Sequence, residues 1–126
     1  MDYKTYFEEW KSWKVFEEEF DGRNGVYAFR LTSNFGRLRG ISSVLYMGKC
    51  DQKKSGRSGL WHRLQNYRQD NLGASKRLKE IEKEFGGQSN VEYSYIVCEN
   101  PREIEKALLE DYYIKHRELP PLNRNK

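Results

Sequence analysis

Two short apolar segments joined by a polar stretch constrain the fold of this chain more than any other feature. They cover residues 25–31 and 44–49, and both are rich in aromatic and β-branched residues, which favour strands. The intervening residues 32–43 are polar and include glycines that can turn the chain. We therefore predict a β-hairpin with a long loop at its tip. Strand pairing would bring Tyr27 and Tyr46 onto neighbouring strands, where two phenols can converge.

Length and composition bound the class of protein. A chain of 126 residues fits one domain with one core. Its formal net charge of +4 is compatible with a nucleic-acid partner, although many proteins of similar charge bind none. Cys50 and Cys98 lack the spacing of metal ligands, so we expect reduced thiols. Since the chain starts without an apolar run and has no stretch of about 18 apolar residues, we expect a soluble, cytoplasmic protein with no membrane span.

The N-terminal segment carries aromatic residues at three- and four-residue steps from Tyr3 to Phe20. This periodicity predicts one helix whose aromatic stripe packs on a core. Such a stripe serves core packing more often than it serves base stacking. Gly22 is a candidate residue for the end of that helix. We expect residues 1–24 to form an N-terminal helical extension on a domain of residues 25–126.

Three further helices and one strand are predicted after the hairpin. The helices cover about residues 59–70, residues 75–85 and a segment that begins at Pro101 behind a capping Asn100, and the strand covers residues 91–98. This order predicts an α+β domain with a three-stranded antiparallel sheet flanked by helices. The predicted buried stripe of the last helix consists of Ile104, Ala107, Leu108 and Ile114.

Basic residues concentrate in two predicted loops. Arg37 and Arg39 on the hairpin tip can contact phosphates or merely keep the tip solvated, and both interpretations stay open. The loop after the second strand is the most basic window of the chain, and its backbone amides near glycines can add donors for a phosphate. The basic residues of that window are Lys49, Lys53, Lys54 and Arg57.

Two charged residues adjoin the apolar stripes of predicted helices. Arg63 lies three residues after Leu60 and four before Tyr67, and Glu110 lies four residues before Ile114. Both side chains are therefore expected near the edge of the core. The two residues could belong to a functional site, or they could form a partly buried ion pair that only holds the two helices together.

The triplets Gly25-Val26-Tyr27 and Tyr46-Met47-Gly48 resemble those that give the GIY-YIG nuclease family its name. That family has a β-β-α-β-α core, usually with an extra helix before the third strand, and the predicted order of elements from residue 25 to residue 123 is similar. The family's arginine on the helix after the second triplet and its glutamate on the last helix match Arg63 and Glu110. The apolar residue, proline and asparagine that follow this glutamate match Ile114, Pro121 and Asn123.

The resemblance implies a metal-dependent endonuclease that hydrolyses phosphodiester bonds of DNA. Glu110 would hold one divalent ion, Mg²⁺ or Mn²⁺, and Arg63 would grip the non-bridging phosphate oxygens. Tyr46 would orient the phosphate. Tyr27 would help to take a proton from the attacking water, which requires a nearby cation such as Lys49 or the metal ion.

Further roles follow from the same resemblance. Asn123 would fix backbone near the site, and Tyr67 stands where some members have a histidine. His62 is a poor substitute for that histidine, because it points about 100° away from Arg63 on a helix. The spacings between the two triplets and between Gly48 and Arg63 are longer than in compact members. The residues expected to hold the DNA backbone are Lys49, Lys53, Lys54, Arg57 and Arg68.

Two other functions remain open at this point. The first is a non-cleaving DNA-binding module of the same fold, and the second is a basic RNA-binding α+β domain, although no RNA-binding signature is recognisable. Tyr27 and Tyr46 could also be ordinary core tyrosines. The DNA substrate is not given by the residues, and either a homodimer or a recruiting protein partner is compatible with so small a chain.

Overall fold

The structure is a computed structural model that describes residues 1–16, 22, 24–51, 59–69 and 73–123. The elements in chain order are α1 (Tyr3–Tyr6), β1 (Lys11–Ser12), a 3₁₀ turn (Trp13–Val15), β2 (Gly25–Gly36), β3 (Ile41–Cys50), α2 (Leu60–Gln69), α3 (Gly73–Glu84), a second 3₁₀ turn (Gln88–Asn90), β4 (Val91–Val97) and α4 (Pro101–His116). Within these described ranges no helix is long and apolar enough to cross a membrane.

The sheet has four antiparallel strands in the order β1-β4-β2-β3. This confirms the α+β class and the antiparallel sheet, but the prediction of three strands is wrong. The fourth strand is β1, which comes from the N-terminal segment and pairs Lys11 with Tyr93 and Ser12 with Glu92 at the edge of β4. A two-residue edge strand leaves almost no periodic pattern in a sequence, and the spacing of the aromatic residues around it predicts a helix instead.

The single N-terminal helix predicted from Tyr3 to Phe20 is wrong over the described part of that segment. Helix α1 ends at Tyr6, and the chain then forms β1 and a 3₁₀ turn, while residues 17–20 lie outside the described residues. The reason is that the aromatic side chains of this segment pack in two separate clusters, one on each face of the sheet. Tyr3 and Phe7 pack on one side of the sheet, whereas Trp13 and Phe16 pack on the other.

The two faces of the sheet carry separate hydrophobic clusters. On the α2 face, Tyr27 and Phe29 of β2 pack with Leu60 and Leu64 of α2. On the α4 face, the alternate β2 residues pack with residues of α4. Because both faces are covered, β2 reads as a continuous apolar run rather than an alternating one. The described members of the α4-face cluster are Tyr3, Phe7, Val26, Ala28, Val44, Met47, Leu108, Leu109 and Tyr112.

The long hairpin loop predicted over residues 32–43 is also wrong. Strands β2 and β3 continue to Gly36 and from Ile41, and the turn is closed by a bond of 2.9 Å from the Arg37 amide to the Gly40 carbonyl. Polar residues persist in this part because the two-stranded ribbon extends beyond the core. The pairing register shifts after Phe29, which opposes Tyr46, so that Leu45 is an extra residue on β3.

Helices α2, α3 and α4 and strand β4 confirm the predicted elements within one or two residues at their described ends. Helix α4 begins at Pro101 as predicted, but the Asn100 side chain makes no capping bond. Its predicted buried stripe is wrong at Ile114, which is 66% exposed. Tyr3 packs against Tyr112 with ring centroids 4.7 Å apart. Tyr3 also packs against His116, and the buried residues of α4 are Pro101, Leu108, Leu109, Tyr112 and His116.

Candidate functional site

The tyrosines of the two triplets meet on the α2 face of the sheet. Tyr27 pairs in register with Gly48, and the ring centroids of Tyr27 and Tyr46 lie 6.0 Å apart. The extra residue Leu45 lets Tyr46 lie on the same face as Leu45 itself, since a bulge places two neighbouring side chains opposite one partner residue. Adjacent strands thus bring the two phenols together, as the hairpin predicted.

Both triplet glycines are required by close packing. A Cβ atom on Gly48 would lie 2.7 Å from the Tyr27 hydroxyl oxygen and 2.7 Å from Cε2 of Tyr46. A Cβ atom on Gly25 would lie 2.4 Å from the Ile96 carbonyl oxygen and 2.9 Å from Cδ2 of Leu60. Distances under 3.0 Å are essentially never seen for real Cβ atoms. The Tyr27 and Tyr46 rings therefore lie over the bare backbone of Gly48, whereas the bare backbone of Gly25 admits β4 and Leu60.

A third phenol completes what we call the tyrosine cluster, which consists of Tyr27, Tyr46 and Tyr67. The hydroxyls of Tyr27 and Tyr67 share a hydrogen bond of 2.9 Å. Burial raises the pKa of Tyr27 well above its ordinary value, and the neighbouring phenols raise the pKa further. Burial likewise raises the pKa of Tyr67. Both side chains are thus held as neutral phenols, and one hydroxyl donates to the other. The expected role of Tyr27 in accepting a proton from water does not fit this environment.

Arg63 lies at the solvent side of the tyrosine cluster. Its side chain is exposed on α2, and its positive charge acts to lower the pKa of both Tyr27 and Tyr67. Tyr46 is half-buried and so is the member of the cluster that reaches solvent. Arg63 and Tyr46 are accordingly two groups beside the tyrosine cluster that an external anion can contact. The ion pair considered for Arg63 and Glu110 is not formed by these two described residues.

The opposite face of β3 carries a second group of predicted residues. Lys49 Nζ lies 3.6 Å from Glu105 Oε1 on α4. Burial raises the pKa of Glu105, whereas the Lys49 charge opposes this rise. Because Lys49 pairs with α4, it is not the cation beside Tyr27 that we expected. The two residues border a cavity of about 290 Å³, here called the β3–α4 groove, which is lined by Lys49, Arg102, Glu105, Lys106, Leu109 and Glu110.

Glu110 is exposed within this groove, and its carboxylate is open to a ligand from solvent. Among the residues that the structure describes, no three histidine, cysteine or acidic side chains form a metal-binding group. Mg²⁺ is often held by one or two carboxylates together with substrate phosphates and water. One exposed glutamate beside a groove with basic side chains therefore fits a hard divalent ion that arrives with a phosphate.

Leu122 and Asn123 secure edge strand β3 between these two groups of residues. The Asn123 amide accepts a bond of 3.0 Å from the Met47 N–H and donates one of 2.8 Å to the Met47 carbonyl. The Leu122 amide donates to the Leu45 carbonyl at 2.9 Å. This segment therefore covers the edge of β3 as a further strand would, and it fixes the backbone on either side of Tyr46.

The side chains of the two arginines at the hairpin tip have different environments. Arg37 donates to the Leu119 carbonyl at 2.6 Å and pairs with Glu118 at 3.0 Å, so its side chain is a structural anchor rather than a phosphate ligand. Arg39 has an exposed side chain, while its backbone bonds to His116 through both its amide and its carbonyl. Only Arg39 remains available for the proposed contact with DNA.

The other residues expected to hold DNA also divide. The Arg68 guanidinium donates to the Trp13 carbonyl and to Gln88 and lies over the Trp13 ring, so its side chain is held by contacts within the protein. Lys53, Lys54 and Arg57 lie outside the described residues.

Sequence reasoning missed Arg102, Glu105 and Lys106 as neighbours of Glu110. A signal for them exists, since residues 102, 105, 106, 109 and 110 repeat at the three- and four-residue steps of one helix face. Comparisons with protein-family models, with curated proteins and with solved structures found no match for this chain.

Proposed function

We propose that this chain is a metal-dependent endonuclease that hydrolyses DNA phosphodiester bonds at a site extending across edge strand β3. The observation that carries the proposal is the packing of Tyr27 and Tyr46 over Gly48, with Arg63 exposed beside them. Glu110 lies in the groove on the other side of the same strand. These are the residues on which the resemblance to GIY-YIG nucleases rests, and the proposed core comprises β2, β3, α2, α3, β4 and α4.

Phosphodiester hydrolysis requires charge to be neutralised on the phosphate as water attacks it. The exposed Arg63 guanidinium can donate two parallel hydrogen bonds to non-bridging oxygens. Tyr46 can donate a further hydrogen bond to the phosphate from its half-buried position. Tyr27 and Tyr67 hold the rings of the cluster in place through their shared bond of 2.9 Å. The tyrosine cluster thus positions and stabilises the phosphate rather than accepting the proton.

Glu110 would hold the divalent ion, Mg²⁺ or Mn²⁺. Such an ion lowers the pKa of bound water and stabilises negative charge on phosphate oxygens. The Lys49–Glu105 pair keeps a cation and a second carboxylate in the same groove. Arg39 would contact the DNA backbone outside the site, where it adds affinity without reading sequence.

A non-cleaving DNA-binding module is the second candidate. The arrangement that favours it is the separation of the tyrosine cluster and Glu110 onto opposite faces of β3. In that case Arg63 and the groove would hold DNA without assembling around a phosphate.

The test is a cleavage assay on supercoiled plasmid, single strands, flaps and junctions, with Mg²⁺, Mn²⁺ or EDTA. Wild type is compared with Glu110→Ala and with Glu103→Ala, which removes an exposed carboxylate from the same helix. We expect cleavage by wild type and by Glu103→Ala, and loss of cleavage in Glu110→Ala and in EDTA. Binding without cleavage by all three proteins would support the second candidate. Cleavage by Glu110→Ala at the wild-type rate would refute the assignment of the metal ligand.

A further inference from the structure

The β3–α4 groove is deeper than a phosphate contact requires. Its volume is about 290 Å³, and it reaches Leu109, which is 2% exposed and belongs to the core on that face. Lys49 and Glu105 form a half-buried pair at its side, while Lys106 and Glu110 are exposed. The groove therefore has a buried apolar end and a charged opening.

The charges at the opening favour an anionic ligand. Glu105 is already paired with Lys49, and Arg102, which is 3.8 Å from Asp51, has a side chain that is 68% exposed. Arg102 and Lys106 can therefore turn toward a phosphate at the entrance. The methylene stems of basic side chains supply apolar wall above Leu109. A ligand that fits has an anionic group outside and a largely apolar, flat body inside.

We propose that the β3–α4 groove binds one unpaired nucleotide of the DNA strand that is cut. The base or sugar would lie against the methylene stems above Leu109, and the adjacent phosphate would contact the Arg102 and Lys106 head groups. A base inside a duplex is shielded by stacking and cannot enter such a groove. The inference rests on the proposed function, because that function places the DNA strand at Glu110. Beyond that function, the inference states that the preferred substrate exposes an unpaired nucleotide, as flaps, gaps and junctions do.

The experiment measures binding in EDTA, where no metal-dependent cleavage occurs. Fluorescence anisotropy compares a labelled duplex carrying a one-nucleotide flap with the continuous duplex of the same sequence. The groove variant is Arg102→Met/Lys106→Met. The control is Lys76→Met/Lys83→Met, which removes two exposed charges from α3 on the other face of the sheet. Both variants lose the same net charge, so a general loss of electrostatic affinity affects them equally.

We expect wild type and control to bind the flap about tenfold more tightly than the continuous duplex, which corresponds to about 1.4 kcal/mol. The groove variant should lose this ratio, and 2-aminopurine at the flap position should show a fluorescence change with wild type and with the control variant but not with the groove variant. A wild type without preference, or a groove variant that keeps it, would overturn the inference. Preference without cleavage in Mg²⁺ would refute the nuclease alone, and cleavage without preference would refute the groove alone.

Discussion

The substitution Gly48→Ala tests how tightly the tyrosine cluster is built. The new Cβ atom would lie 2.7 Å from Cζ and the hydroxyl oxygen of Tyr27 and 2.7 Å from Cε2 of Tyr46, about 0.7 Å inside the 3.4 Å at which ordinary contact begins. Tyr27 cannot turn away into solvent, because it is 1% exposed and is bonded to Tyr67. The added methyl group must therefore move β3 or both rings.

The expected cost follows from these constraints. Adding a methyl group to a tightly packed core destabilises a protein by about 1–3 kcal/mol. Alanine also reduces the entropy of the unfolded chain, which contributes about 0.4–1 kcal/mol in the opposite direction. We therefore expect Gly48→Ala to lower the free energy of unfolding by about 1–2 kcal/mol. A shift approaching 1 Å in a reacting group can reduce turnover by about 100-fold. We therefore expect the Gly48→Ala protein to cleave much more slowly than wild type even under conditions where it remains folded.

Equilibrium urea denaturation followed by circular dichroism measures the first effect. Gly36→Ala is the matched control, since Gly36 is on β2, exposed, and has no atom within 4 Å of the built Cβ position. We expect Gly36→Ala to remain within about 0.5 kcal/mol of wild type. If Gly48→Ala is as stable as Gly36→Ala, the two rings do not lie over Gly48 as described, and the packing argument fails.

Three further predictions concern other contacts. Asn123→Ala should lower the free energy of unfolding by about 1–2 kcal/mol, because it removes both side-chain bonds to Met47, and a stability equal to wild type in urea denaturation would contradict this. Burial raises the pKa of Tyr3 to about 12, whereas the unfolded chain ionises near its ordinary value of 10.0. The resulting stability is present below pH 10 and is lost as pH rises toward 12, so wild type should lose more stability than Tyr3→Phe across this interval, and parallel denaturation curves would refute the assignment. Arg37→Met should destabilise the fold by about 1–3 kcal/mol through loss of its contacts with Glu118 and Leu119, whereas Arg39→Met should leave stability unchanged and make the salt dependence of DNA binding shallower; the reverse pattern would show that their roles are exchanged.

Local patterns predicted most of the regular elements. The hairpin strands, α2, α3, β4 and the start of α4 each have their own apolar period or a proline at the first helical position, so their sequence is informative without knowledge of the rest of the fold. The prediction for the N-terminal segment was wrong because the aromatic residues of that segment pack on two faces of a sheet. The aromatic residues up to Trp10 pack on the α4 face, whereas Trp13 and Phe16 pack on the α2 face, so their three- and four-residue spacing does not mark one helix face.

The candidate site was predictable only in part. The two triplets contain Tyr27, Tyr46 and Gly48, and these residues lie together in the structure. The partners of individual charges were not predictable, because they depend on contacts between distant segments. Arg37 is anchored by Glu118, Arg68 by the Trp13 carbonyl, and Lys49 by Glu105.

The most direct test of the central claim asks whether Arg63 and Glu110 serve one reaction from the two sides of β3. Single-turnover cleavage in Mg²⁺ is measured for wild type, Arg63→Met, Glu110→Ala and the double variant. We predict that each single substitution slows cleavage by about 100-fold or more and that the double variant is within a few-fold of the slower single variant, because residues of one site act as a unit. Wild-type rates in either single variant, or losses that multiply in the double variant, would contradict a single site across the edge strand.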